Sequence, residues 1–183
     1  MIRYLLFSTF VFITNQIFSQ SIKWSIDIKD SYISYDGKHS LHNWSGKNEK
    51  IRGVIIENIK EENFEQIALA MFAKDFDSGN GNRDSNMMEL LEVINFPKIE
   101  YYSNKISQNK DKISFLGKLN FHGISRDLDI NSDIKKTNKK LILSGEFKVS
   151  LVDHEVKLPT FMLRSIEKEV LIKYQLVFNK SDS

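Results

Sequence analysis

The sequence predicts an all-β protein: an antiparallel β-barrel of about eight strands with one short amphipathic helix. Three observations carry this. The stretch Lys112–Ile130, KISFLGKLNFHGISRDLDI, places Ile113, Phe115, Gly117, Leu119 and Phe121 at every second position, with polar residues between them except at Leu116. That period of two belongs to a strand with one buried face. Gly123 then interrupts the pattern before it resumes at Ile124, Arg126, Leu128 and Ile130, which reads as a hairpin with a tight turn. The same alternation recurs along the chain, whose 13 Phe and 6 Tyr against 2 Pro suit strands better than loops. Hairpins in series must close into a barrel or fold into a sandwich to hide their apolar faces. About eight long strands is the size at which a barrel encloses one small ligand or fills itself with side chains.

Composition narrows the class. A chain of 183 residues with 41% hydrophobic content supports one domain with a real core and excludes wholesale disorder. A net charge of +2 is too small to imply a nucleic-acid or membrane-surface partner. Residues 1–20 read as a secretory signal: Arg3 supplies the positive start, Tyr4–Ile13 is apolar and uncharged, and Ser19 is a small residue before the cut. The run falls short of the ~20 apolar residues of a membrane span. Ile17 and Phe18 make an untidy cleavage site, so an uncleaved anchor stays open. Residues 21–183 then form the mature barrel domain, expected in the periplasm or outside the cell. The chain has no Cys, which excludes a disulfide scaffold.

Taken in order, Trp24, Ile26 and Ile28 alternate in a first strand, Ile33 and Tyr35 continue it, and Asp36-Gly37 reads as a turn. His39, His42 and Trp44 lie in a short polar stretch ending at Gly46. A strand covers Ile51–Ile59. Ile67, Leu69, Met71 and Ala73 oppose Ala68, Ala70 and Phe72, so that strand reads as covered on both faces. The turn-rich stretch DSGNGNR precedes Asp84, Ser85 and Asn86, three N-cap candidates. Met87, Leu90, Leu91 and Ile94 then give a helical stripe, ended by Asn95-Phe96-Pro97. Strands resume at Lys98–Ile106, the hairpin follows, Lys135–Lys140 is a charged turn, and Leu141 to Leu151 holds six period-two positions. Asp153–Arg164 reads as irregular. Val170, Ile172, Tyr174, Leu176 and Phe178 form the last strand. Gly117, Gly145, Ala73 and Ser103 are small inward positions. They leave room in a hollow barrel, or the glycines mark bends in curved strands.

Several of these segments together resemble the YceI-like family, whose members have a lipocalin-like antiparallel barrel with an apolar interior. Gly117-Lys118-Leu119 followed by His122-Gly123-Ile124-Ser125 is similar to the family's strand-turn signature. Arg83-Asp84, then Met88, Leu91 and Phe96-Pro97-Lys98-Ile99, is similar to its Arg-Asp, helix, Phe-Pro-x-Ile segment. Ser40, His42 and Trp44 resemble its early His-containing segment, Gly53 its strand glycine, and Asp153-His154 with Val156 and Pro159 a variant of secreted members. Asn43–Lys50, NWSGKNEK, departs from the longer acidic-polar strand pair common in the family. The resemblance implies non-covalent binding of a long apolar or amphipathic molecule, a lipid or polyisoprenoid, without a cofactor.

Residues expected to line such an interior are Ile26, Leu69, Met71, Tyr101, Phe115, Leu119, Leu143, Phe147 and Tyr174, although at any single position ordinary core packing is the stronger reading. A hollow barrel would hold a continuous apolar cavity of several hundred Å³. The alternative is a metal-binding envelope protein or metal-dependent enzyme using His42, His122 and His154, since metal sites gather three or four such ligands. Arg83-Asp84 reads either as a clamp for an anionic head group or as a helix cap with its neighbour. No G-x-S-x-G, P-loop or dinucleotide glycine pattern is present, so no enzyme is expected. The basic runs Lys135-Lys136 and Lys139-Lys140 lack interleaved aromatics, which argues against nucleic acid. A homodimer is left open.

Overall fold

The computed structural model describes residues 21–38, 43–158, 160–161, 164–165 and 168–181. The expected signal segment, together with His39, Ser40, His42 and Pro159, lies outside the described residues. The strands are β1 (Ser21–Ile26), β2 (Tyr32–Lys38), β3 (Asn43–Asn48), β4 (Arg52–Asn58), β5 (Asn63–Phe72), β6 (Lys98–Asn109), β7 (Lys112–Phe121), β8 (Ile124–Lys136), β9 (Lys140–Ser150), β10 (Thr160–Phe161), β11 (Arg164–Ser165) and β12 (Glu169–Lys180). One α-helix, α1 (Gly81–Leu90), sits between β5 and β6. Eight strands close a ring of antiparallel pairs in the order β1-β4-β5-β6-β7-β8-β9-β12, and β12 pairs back to β1. Closure pairs the ring strands with one another, the solution to the exposed-strand problem anticipated from the alternation, and β3 ends the sheet beyond the ring.

The β2–β3 hairpin extends this wall. β1 pairs one end of β12, Ile26 opposite Phe178, and β2 pairs the other, Tyr32 opposite Gln175. Between them the chain bends, and Ser31 closes the gap in the ladder. Its hydroxyl accepts from the Val177 amide at 2.9 Å and donates to the Val177 carbonyl at 3.2 Å. Buried backbone groups left unpaired there would be costly. The β7–β8 connection is the two-residue turn His122-Gly123, with φ of 52° and 73°. Positive φ at both positions is the primed turn that matches strand twist.

Four details differ from the sequence reading. Asp36-Gly37 lies inside β2, and Trp44 and Gly46 inside β3, because each glycine seats a partner's ring. A Cβ at Gly37 would stand 2.5 Å from Trp44, and one at Gly46 2.5 Å from Tyr35. Helix α1 begins earlier than Asp84: Asn80 is its N-cap, accepting from the Arg83 amide at 3.1 Å. It also ends before Ile94. Glu92 turns left-handed at φ 45°, the Val93 amide bonds the Met88 carbonyl, and Ile94 is 97% exposed. This is a Schellman cap with Glu at the usual glycine position. Ile28 falls in the bend after β1 and is exposed. The outer side of β5 is half exposed rather than covered, and Ala68 and Ala70 line a shallow external groove beside Tyr102.

The barrel's two ends are unlike. At one end Trp24, Ile55, Phe64, Ile113, Ile134, Leu141 and Phe178 are packed to 6% exposure or less. Among them the buried carboxylate of Glu57 accepts from Trp24 Nε1 at 2.8 Å and pairs with the Lys136 ammonium. Lys136 also lies 5.8 Å over the Trp24 ring and 5.3 Å over that of Phe64. A buried charge survives only with such partners. This end is a filled plug.

Candidate functional site

The other end is hollow. A cavity of about 180 Å³ opens there, lined almost wholly by carbon. It is smaller than a fully hollow barrel would give, because the plug occupies the remaining length. Its walls come from inward positions of β5 to β9 and β12, and its rim from Ile33 and Tyr35 on β2, Trp44 on β3, Phe76, and Met87, Leu90 and Leu91 of the helix region. The amphipathic stripe thus turns its first three apolar members onto the cavity.

Eight of the nine residues expected to line the interior do so: Leu69, Met71, Tyr101, Phe115, Leu119, Leu143, Phe147 and Tyr174. Ile26 does not. It ends β1, a strand confined to the plugged half, and packs against the core without reaching the cavity. The rim residues of β2 and β3 were not legible as lining, because Asp36-Gly37 read as a turn after Tyr35 and Trp44 lay in a stretch read as polar.

Two tyrosines shape the wall. Tyr174 on β12 lies across Gly145, its direct partner on β9, and its hydroxyl meets Ser132 Oγ on β8 at 2.5 Å. Tyr101 on β6 lies across Gly117 on β7 and donates to the carbonyls of Phe115 and Leu128, both at 3.1 Å. The glycines therefore hollow the barrel indirectly. Each lets a ring lie flat against the wall instead of standing in the lumen, and each hydroxyl spends its hydrogen bonds on protein. Burial pushes both phenols above the ordinary tyrosine pKa; Asp129 adds to this at Tyr101, and the Ser132 bond opposes it at Tyr174. Ala73 and Ser103 are both buried; Ser103 donates to the Leu116 carbonyl at 2.9 Å.

His122 and His154 sit at the hollow end beside the cavity, not on its lining. His122 Nδ1 bonds the His154 carbonyl at 2.8 Å, and His154 Nδ1 bonds the Ser150 carbonyl at 3.0 Å. A carbonyl accepts, so both rings carry their proton on Nδ1. Phe96 packs on His122 at 4.5 Å and Phe121 on His154 at 5.3 Å. Among the described residues no group of three or more His, Cys, Asp or Glu could hold a metal ion. His42, the third member of the expected set, lies outside the described residues.

At the rim, Asp84 accepts from the Ser78 amide at 3.1 Å, while Arg83 and Asp84 both lie within electrostatic reach of the Tyr35 hydroxyl. Burial and Asp84 raise the Tyr35 pKa and Arg83 lowers it. No helix among the described residues is long and apolar enough to cross a membrane.

Solved structures share this architecture. The BcnA protein of Burkholderia cenocepacia superposes with a TM-score of 0.73 at 16% identity, over 83% of this chain and 98% of its own. A domain from Saccharophagus degradans described as polyisoprenoid-binding and implicated in plant cell wall breakdown gives 0.68 at 11% identity, over 86% and 98%. A Campylobacter jejuni YceI protein gives 0.67 at 17% identity, over 79% and 90%. No curated protein matches the chain. The model of the YceI-like domain matches residues 24–178, and this chain belongs to the YceI-like family.

Proposed function

We propose that this protein holds one long apolar or amphipathic molecule, a lipid or isoprenoid, in the hollow half of its barrel, as a non-catalytic binding protein of the periplasm or cell exterior. One observation carries the reading: the cavity is walled by apolar side chains, and the hydroxyls of Tyr101 and Tyr174 are already bonded to protein. A guest there finds burial rather than chemistry. Each buried CH₂ contributes ~0.8 kcal/mol, so the roughly seven carbons that the cavity encloses contribute up to ~6 kcal/mol, against ordering costs of several kcal/mol. Burial thus supplies the driving force with no polar contact. The polyisoprenoid-binding description of the Saccharophagus degradans domain supports this guest class. The secreted location rests on the signal-like residues 1–20. Native mass spectrometry of the full chain, expressed with its own leader and extracted from the periplasm, tests both. A bound apolar mass in that fraction is expected; bare protein there, or protein retained in the cytosol, contradicts the corresponding half.

A further inference from the structure

The plug has a consequence for which guests fit. Along β7, Phe115, Leu119 and Phe121 line the cavity, whereas Ile113, the next inward residue below Phe115, does not. Along β9 the same break falls between Leu143 and Leu141, and along β12 between Leu176 and Phe178. Leu143 pairs with Leu176 and Leu141 with Phe178, so the break falls at the same register on β9 and β12. Below it lies the Trp24–Glu57–Lys136 cluster. A chain pushing past would have to displace Ile113, Leu141 and Phe178, packed to 1% exposure or less, and overpack a filled core.

We propose that this floor sets a maximum tail length, so that the protein selects single-chain amphiphiles by how much chain it can enclose. The proposal rests on the binding reading above. The lining span from Phe115 to Phe121 is six residue steps, or ~20 Å along a strand and ~15 Å along the axis once tilt is allowed for. An extended staggered hydrocarbon advances ~1.25 Å per carbon, so the depth alone admits about twelve carbons, but the volume of about 180 Å³ is close to that of a cavity filled by one benzene and encloses only about seven, which is the tighter limit. Further carbons project through the rim beside α1 into water.

The test is displacement of a fluorescent fatty-acid probe from the purified barrel by straight-chain fatty acids of increasing length. Affinity should rise by about fourfold per methylene up to about seven carbons and then stay flat. A rise that continues at the same step well past that length overturns the limit while leaving the binding reading intact. No binding at any length overturns both. Two variants locate the floor. Leu141→Ala should deepen it and move the break to longer chains, whereas Leu143→Phe should raise it and move the break to shorter ones. Should Leu141→Ala fail to fold, the Leu143→Phe arm decides by itself; an unmoved break there contradicts the assignment.

Discussion

At Gly117 and Gly145 the space a side chain would occupy is taken by a neighbour's ring. A Cβ at Gly145 would stand 2.7 Å from the Tyr174 hydroxyl and 3.0 Å from the Asn131 carbonyl; one at Gly117 would stand 2.6 Å from the Tyr102 carbonyl. Backbone cannot step aside as a flexible side chain can. Gly145→Ala should therefore cost about 1–3 kcal/mol in urea unfolding, the range for overpacking, and a change inside ±0.5 kcal/mol, the ordinary surface range, would contradict the seat. The two phenols give a pH signature. A group whose folded-state pKa is raised contributes its stability in full below the unfolded pKa, ~10 for Tyr, and loses it as pH rises toward the folded value. Stability should accordingly fall on the alkaline side of ~10, and Tyr101→Phe with Tyr174→Phe should flatten that fall, as read from urea midpoints against pH. An unchanged slope in the double variant would show that these hydroxyls are not buried as described. The inward placement of both tyrosines was legible from alternation. Their lying over glycines was not, because a one-dimensional pattern does not say which ring crosses to which strand.

At the scale of elements, the strands were the legible part and the ends were not. Period-two alternation located the members of the ring because a half-buried strand has no other way to arrange its side chains. It missed β3, where Gly46 and the polar run NWSGKN hide the pattern, and it mistook Gly37 for a turn. Helix α1 was legible as a stripe, but its boundaries depend on single side-chain contacts. Asn80 rather than Asp84 caps it, and Glu92 stops it. Asn80→Ala should cost about 0.5–2 kcal/mol, the range for losing such a cap. Glu92→Gly should stabilise by ~1 kcal/mol, since a left-handed residue with a Cβ carries a strain of that order. Both are measurable by chemical denaturation, and amide exchange in 81–90 should speed up in the first variant and slow in the second. Opposite signs would mean that α1 is not held by these ends.

The whole molecule divides what the sequence treats as uniform. Ile113 and Leu119 occupy the same face of the same strand with the same alternation, yet one belongs to the packed plug and the other to the cavity wall. Depth along the barrel axis is set by how side chains from eight strands meet. Here the buried Glu57 with Trp24 and Lys136 marks the filled end, while α1 and the β2–β3 hairpin rim the hollow one. Thermal melting of Ile113→Trp and Leu119→Trp, each with and without a saturating fatty acid, tests this division most directly. Overpacking the plug should lower the melting temperature of Ile113→Trp by several degrees, from a cost of about 1–3 kcal/mol, while the fatty acid still raises it. Leu119→Trp should melt close to the unmodified protein and lose the ligand-induced rise. Equal destabilisation of the two variants, with the ligand-induced rise intact in Leu119→Trp, would contradict a barrel that is filled at one end and open to an apolar guest at the other.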